Sequence, residues 1–261
     1  MSIAQITDGE LDKLVHQFEV DGFVIRPKLL DPKTLDHIAT VARARLAAVR
    51  DKLGSQDIGI GSVAGYDEIV QRSPGRWDVP ITLEEFDVKD EDMPWWPLIT
   101  ATLGEGAEHM FSGVVSSESN TPAQEWHTDS PHESVEYRPV HAINVLVALQ
   151  DIPMKMGPTE FAVGSQTLTN HLKNTSLVVE ELLYQHDTTN PALLVKNTDD
   201  ALPECRTAAL PAGTCIAFDD RILHRGLDNQ SDVTRHVAYF SYCAKGYTPT
   251  THFEAQKSVY Q

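Results

Sequence analysis

The spacing of apolar positions changes near residue 109, from helical recurrence before it to alternation after it. Leu11, Leu14, Val15 and Phe18 stand at i, i+3, i+4 and i+7 and form one helical stripe. Ahead of them Thr7-Asp8-Gly9-Glu10 reads as a capping box, a Thr cap with Glu three residues on. Gly22 ends that helix, and Phe23-Val24-Ile25 reads as a short strand. Asp31-Pro32 opens a second helix, with Asp as cap and Pro at the first helical position. Its apolar face is Leu35, Ile38, Ala39, Ala42, Leu46, Val49 and Leu53. Residues 54–107 hold seven glycines and four prolines, which predicts no long element there.

From 109 onward, β-branched alternating stretches predict strands at 109–117, 123–129, 140–150, 159–163, 206–210, 214–219 and 235–243. Residues 164–200 read as a polar insertion with one helix near 176–184. Helices followed by short strands predict an α+β chain whose body is an antiparallel sandwich or barrel. No linker divides it. The expectation is one domain over 1–261, with helical support at 7–54 and a β core at about 109–245.

Composition narrows the partners. At 261 residues, 41% hydrophobic and 23% charged, the chain is ordinary for a globular protein with a sizeable core. A net charge of −17 repels nucleic acid and anionic membrane, which excludes both as main partners. No apolar run approaches the ~20 residues of a membrane span. The start, MSIAQITDGE, lacks the basic and apolar regions of a secretory signal, so a cytoplasmic protein is expected. Cys205, Cys215 and Cys243 are odd in number and without CxxC spacing, and are expected as buried free thiols. Pro94-Trp95-Trp96-Pro97 is expected to be two packed tryptophans under a loop.

Candidate chemistry starts at Glu125-Trp126-His127-Thr128-Asp129. On a strand, i and i+2 share a face, so His127 and Asp129 face one ion while Thr128 turns away. Such a pattern arises easily by composition. His252-Phe253-Glu254 repeats it near the C-terminus, where no third ligand follows, and reads as a solvated tail. The difference upstream is His224, on a stretch that a jelly roll lays alongside. Two His and one carboxylate make the facial triad of non-haem Fe(II) oxygenases, with three coordination positions open. Those positions suit a bidentate cosubstrate plus O₂. A dicarboxylate cosubstrate needs a cation for its far end, and Arg235 offers a planar fork for it. Alternation puts Arg235 on the interior face with Val237, Tyr239 and Ser241, and turns Arg225 outward from beside His224. Two other readings stay open: a zinc hydrolase using two His and one carboxylate, and a non-catalytic jelly-roll binding protein. The first has no task for Arg235, and the intact residue set speaks against the second.

Several motifs, in order across residues 8–243, resemble the phytanoyl-CoA dioxygenase family. They are Asp21-Gly22-Phe23-Val24-Ile25, Leu29-Leu30-Asp31-Pro32, His127-Thr128-Asp129, the run GPTEFAVGS at 157–165, HRGLDNQS at 224–231, and Arg235. The resemblance implies a double-stranded β-helix (jelly roll, cupin-like) flanked by N-terminal helices. It implies Fe(II) on His127, Asp129 and His224, and 2-oxoglutarate on Arg235, with O₂ as oxidant. It further implies cosubstrate contacts at Gln124 and Thr159, and a pocket contact from Arg76, with Arg72 competing for that role. His132, in the loop after the His-x-Asp stretch, is expected at the pocket rim as a substrate contact.

The implied reaction oxidises an unactivated C–H of a small natural-product or metabolic intermediate, by hydroxylation, desaturation or cyclisation, releasing succinate and CO₂. The enzyme acts as a monomer or homodimer on this reading. Halogenases of related sequence carry a small residue in place of the HxD carboxylate, so Asp129 disfavours halogenation. Gly226 stands where the namesake enzymes often have Ser. That departure and the acidic charge disfavour a CoA ester as substrate. Specificity is expected from residues 55–105, 130–138 and 165–200, the irregular segments.

Overall fold

The N-terminal stripe folds as predicted. In a computed structural model, which describes residues 6, 8–132, 136–169, 204–248 and 257–261, helix α1 spans Asp8–Asp21 and buries Leu14 and Phe18. The capping box at Thr7 lies outside the described residues. Gly22 follows at φ 82°, a left-handed conformation that glycine adopts without a Cβ penalty, and strand β1 begins at once (Phe23–Arg26). Helix α2 (Pro32–Leu53) is capped by the Asp31 carboxylate, which accepts from the backbone N–H groups of Lys33 and Thr34. It buries Ile38, Ala39, Ala42, Leu46, Val49 and Leu53, the predicted face.

The glycine- and proline-broken region makes only short elements: β2 (Val70–Ser73), β3 (Arg76–Pro80), α3 (Leu83–Phe86) and α4 (Trp96–Leu103). The β2–β3 hairpin was not legible, because four or five residues are too few for alternation to stand out. Trp95 is buried against Phe240 and donates its indole N–H to the Tyr242 hydroxyl at 3.0 Å, while Trp96 opens α4. The tryptophan pair is packing, as expected.

The remaining strands are β4 (Glu108–Ser117), β5 (Ala142–Ala148), β6 (Thr159–Ala162), β7 (Cys205–Arg206), β8 (Cys215–Asp219), β9 (His224–Gly226) and β10 (Arg235–Cys243). They form two antiparallel sheets, a seven-stranded one ordered β1-β8-β5-β10-β4-β3-β2 and a three-stranded one ordered β7-β6-β9. This is the two-sheet jelly-roll core of a double-stranded β-helix, with the helices at one face. The strand expected at 123–129 is absent. Residue 127 makes only an isolated bridge to His224, because Pro122 and Pro131 flank the stretch and it pairs on one side alone. The helix expected at 176–184 and the His252-Phe253-Glu254 tail lie outside the described residues. Cys215 and Cys243 are buried, but Cys205 is exposed, because β7 is a two-residue edge strand.

Alternation sorts the large sheet into two faces. Val145, Val147, Ala217, Ala238, Phe240 and Tyr242 point to the helices and join their apolar stripes in one cluster. Ala148, Ile216, Phe218 and Val237 point the other way and pack with Phe161 of the small sheet. The second face closes over only part of its length, and the rest borders a cavity. Among the described residues, no helix is long and apolar enough to cross a membrane.

Candidate metal centre and cosubstrate pocket

Residues 124–130 are laid against residues 220–226 by backbone hydrogen bonds. Gln124 N donates to Gly226 O at 2.9 Å, and Asp129 N to Asp220 O at 2.8 Å. Between them His127 and His224 exchange both of theirs, at 3.1 and 2.9 Å. The two histidines are therefore a hydrogen-bonded antiparallel pair, which points their side chains to one side. Their ring centroids are 4.4 Å apart. Ligand atoms of His127, Asp129 and His224 all lie within 4.8 Å of one another. His224 Nε2 is 3.7 Å from Asp129 Oδ1.

The tautomers follow from the neighbours. His127 Nδ1 is 2.8 Å from the Glu125 carbonyl, and His224 Nδ1 is 3.0 Å from the Ile222 carbonyl. A carbonyl only accepts, so each Nδ1 carries the proton and each Nε2 keeps its lone pair for a metal. Burial, and then the neighbouring His224, push the His127 pKa down to about 4, so its ring is neutral at pH 7. Asp129 is held from outside the triad. Asn144 Nδ2 donates to its Oδ2 at 2.6 Å, and Ser241 donates to the Asn144 carbonyl oxygen. Asn144 was missed in the sequence, although an Asn inside the apolar run Ala142–Ala148 is a signal that a partner waits across the sheet.

Arg235 begins β10 and is 3% exposed. One Nη2 hydrogen goes to Ser117 Oγ at 2.9 Å. Its Nε and Nη1 are buried with no hydrogen-bond partner among the described residues. Burial lowers its pKa to about 10, still charged at pH 7. A buried guanidinium with orphaned donors is costly unless an anion completes it, and a carboxylate matches its fork. The two-His-one-carboxylate donor set likewise suits Fe(II).

These groups line one cavity of about 860 Å³, and Gln124, Thr159, Tyr239 and Ser241 line it as well. Gln124 Oε1 accepts from Gly226 N at 3.1 Å. A Cβ at Gly226 would meet Arg76 Nη1 and Gln124 Oε1 at 2.8 Å each, so a side chain there would displace them. The glycine lets those two side chains approach the backbone closely. Thr128 lines the cavity too, since alternation does not hold where the strand is missing.

Two expected pocket contacts lie elsewhere. Arg76 is fully buried behind the wall, with Nε donating to Ser117 Oγ, and its Nη groups to the carbonyls of Pro122, Gly226 and Leu227. Burial, then the neighbouring Arg235, lower its pKa to about 9. It braces Arg235's surroundings rather than facing the cavity. Its rival Arg72 lines the cavity, bound to the buried Asp78 carboxylate at 2.7 Å. His132 is buried and does not line the cavity, because the chain leaves the wall after Ser130. Arg225 points outward as expected, pairing with Glu160 at 2.8 Å and lying over the Trp126 ring. Lining residues come from 55–105, as expected, at Ile60, Ser62 and Arg72. Met110, Phe111 and Tyr247 also contribute, and they were not foreseen.

Comparisons with known proteins bear on the fold and the family. Similar solved structures include AviO1 from Streptomyces viridochromogenes, at 18% identity and TM-score 0.64, covering 95% of this chain and 100% of that one. EctD from S. alaskensis, solved with 2-oxoglutarate and 5-hydroxyectoine, is 15% identical at TM-score 0.64, covering 99% and 86%. HygX from Streptomyces hygroscopicus, solved with nickel, 2-oxoglutarate and hygromycin B, is 12% identical at TM-score 0.61, covering 94% and 92%. No curated protein matches the chain by sequence. The family model for phytanoyl-CoA dioxygenase (PhyH) matches residues 18–237. With that match over most of its length, the chain belongs to the phytanoyl-CoA dioxygenase family and is a non-haem Fe(II)/2-oxoglutarate-dependent oxygenase that uses O₂.

Proposed function

We propose that His127, Asp129 and His224 hold the Fe(II), that Arg235 binds the far carboxylate of 2-oxoglutarate, and that Gln124 and Thr159 border the cosubstrate. The observation that carries this is the meeting, in one cavity, of a two-His-one-carboxylate set and a buried guanidinium with two orphaned donor nitrogens. The bound metal supplies O₂ activation coupled to oxidation of 2-oxoglutarate to succinate and CO₂, and thereby the oxidising power for an unactivated C–H. The chain's own residues do the rest. The Glu125 and Ile222 carbonyls fix both imidazoles as Nε2 ligands. Asn144 holds one oxygen of Asp129 and leaves the other toward His224. Val237, Leu146 and Phe218 keep the inner end of the cavity apolar and exclude water.

The substrate is a small molecule that fits the remaining cavity, oxidised by hydroxylation, desaturation or ring closure. The whole chain acts as one cytoplasmic domain, independent of nucleic acid and membrane. Asp129 fills the position that a halide needs, so halogenation is not its reaction. The test is anaerobic addition of Fe(II) and 2-oxoglutarate, read by the visible metal-to-cosubstrate absorption, followed by O₂ and measurement of succinate. Wild type gives both signals. Arg235→Leu keeps Fe(II) binding and loses the 2-oxoglutarate-dependent band. A wild-type protein with neither band nor succinate overturns the assignment.

A further inference from the structure

Two successive carboxylates, Asp219 and Asp220, end β8 beside the metal ligands, and the fold treats them differently. Asp219 is fully answered: Arg221 donates Nε to its Oδ1 at 2.8 Å and Nη2 to its Oδ2 at 2.7 Å. Asp220 lines the cavity and is 2% exposed. Its Oδ1 is buried with no hydrogen-bond partner among the described residues, its Oδ2 lies 3.5 Å from the His141 ring, and the Ser130 side chain also reaches the carboxyl group. His141 in turn stacks on Tyr247, another cavity residue, with centroids 4.4 Å apart. The Asp220 carbonyl accepts from the backbone of both Asp129 and Ser130, which fixes the residue next to the metal centre.

Charge bookkeeping shows what is missing. The charged residues lining the cavity are Arg72, Asp78, Glu125, Asp129, Asp220 and Arg235. Arg72 cancels Asp78. Fe(II) with Asp129 and a 2-oxoglutarate dianion with Arg235 sum to zero. Glu125, exposed at the rim, and Asp220, buried in the wall beside the His141 ring, remain without a lysine or arginine among the lining residues, and burial raises the Asp220 pKa until a cation answers it. Leaving a buried carboxylate oxygen unpaired is costly, whereas a charge-assisted hydrogen bond to it is among the stronger ones.

We propose that Asp220 is the substrate anchor and that the substrate carries a protonated amine, which donates to Asp220 and turns the adjoining C–H toward the metal. The proposal rests on reading this cavity as the substrate pocket. His141 and Tyr247 back the anchor as an aromatic wall. An anionic substrate of the same size is disfavoured by the same charge.

The test compares benzylammonium with benzyl alcohol, two probes of one shape that differ by a charge. Binding is read by ligand-observed NMR at about 0.2 M salt, which screens the diffuse field of the acidic surface. Both are measured on protein loaded with Zn(II) and 2-oxoglutarate and again on metal-free protein, so that the anchor is scored whether or not the metal assignment stands. Wild type is expected to bind the ammonium about tenfold or more tightly than the alcohol in both states. In Asp220→Asn that preference is lost while the Fe(II)/2-oxoglutarate absorption remains. Equal binding of the two probes by wild type, or an undiminished ammonium preference in Asp220→Asn, overturns the proposal. The wild-type comparison decides it alone if the variant fails to fold.

Discussion

The two faces of the large sheet follow opposite rules. On β10, Ala238, Phe240 and Tyr242 pack into the helices, and the Tyr242 hydroxyl there accepts from the Trp95 indole. One residue out of phase, Arg235, Tyr239 and Ser241 line the cavity, and Arg235 keeps orphaned donors there. On β5, Val145 and Val147 face the helices while Asn144 faces Asp129. Apolar burial on one face, at about 1.5–3 kcal/mol per large side chain, offsets the unanswered polar groups on the other. The same strands thus supply stability and chemistry without mixing them, because a pleated strand separates its sides by one residue.

That separation can be broken from either side. The largest effect is expected at the ligands. Asp129→Ala should lower succinate formation to background and abolish Fe(II) retention, with a melting temperature close to wild type. A variant that kept its iron would remove Asp129 from the centre. From the helix face, Phe240→Ala should cost about 3–5 kcal/mol in denaturant unfolding, through the cavity left against Phe86 and Trp95. Its folded fraction should still form the Fe(II)/2-oxoglutarate absorption, and loss of that absorption in folded protein would show that the faces are coupled.

Asn144→Ala tests the reach of the polar face. It should weaken Fe(II) binding by about 10–100-fold in a metal titration, as for other outer partners of metal ligands, and change stability little. An unaltered affinity would mean that Asp129 needs no such hold. The smallest effect is in pH. Burial lowers the pKa of both His109 and His236 to about 4. The unfolded chain therefore takes up these protons first. Their contribution is whole above about 6.5 and is lost as pH falls toward 4, about 3 kcal/mol for each. Melting temperature should drop over that window, and His236→Gln should flatten the drop. An equal slope in the variant would place the acid sensitivity elsewhere.

How far the sequence could be read depended on distance along the chain. The α2 face, the Asp31 cap and the interior residues of β10 were legible because each is set by spacing within one element. The β2–β3 hairpin was too short to show a period. Arg76 and Arg72 could not be told apart, since a hairpin of unknown register decides which one faces inward. Thr128 was misplaced for the same reason: alternation was applied to a stretch that forms no strand.

By itself the sequence determined the helix stripes, the alternation of the later strands, and the set of ligand types, His127, Asp129, His224 and Arg235. These depend on local period and on residue chemistry. Only the tertiary structure decided that the His127 and His224 backbones pair directly, that Asn144 reaches Asp129, and that Asp219 is satisfied while Asp220 keeps one oxygen without a partner among the described residues. Each of those facts is a contact between residues whose separation along the chain bears no relation to their distance in space, or depends on which side of a strand end a carboxylate falls.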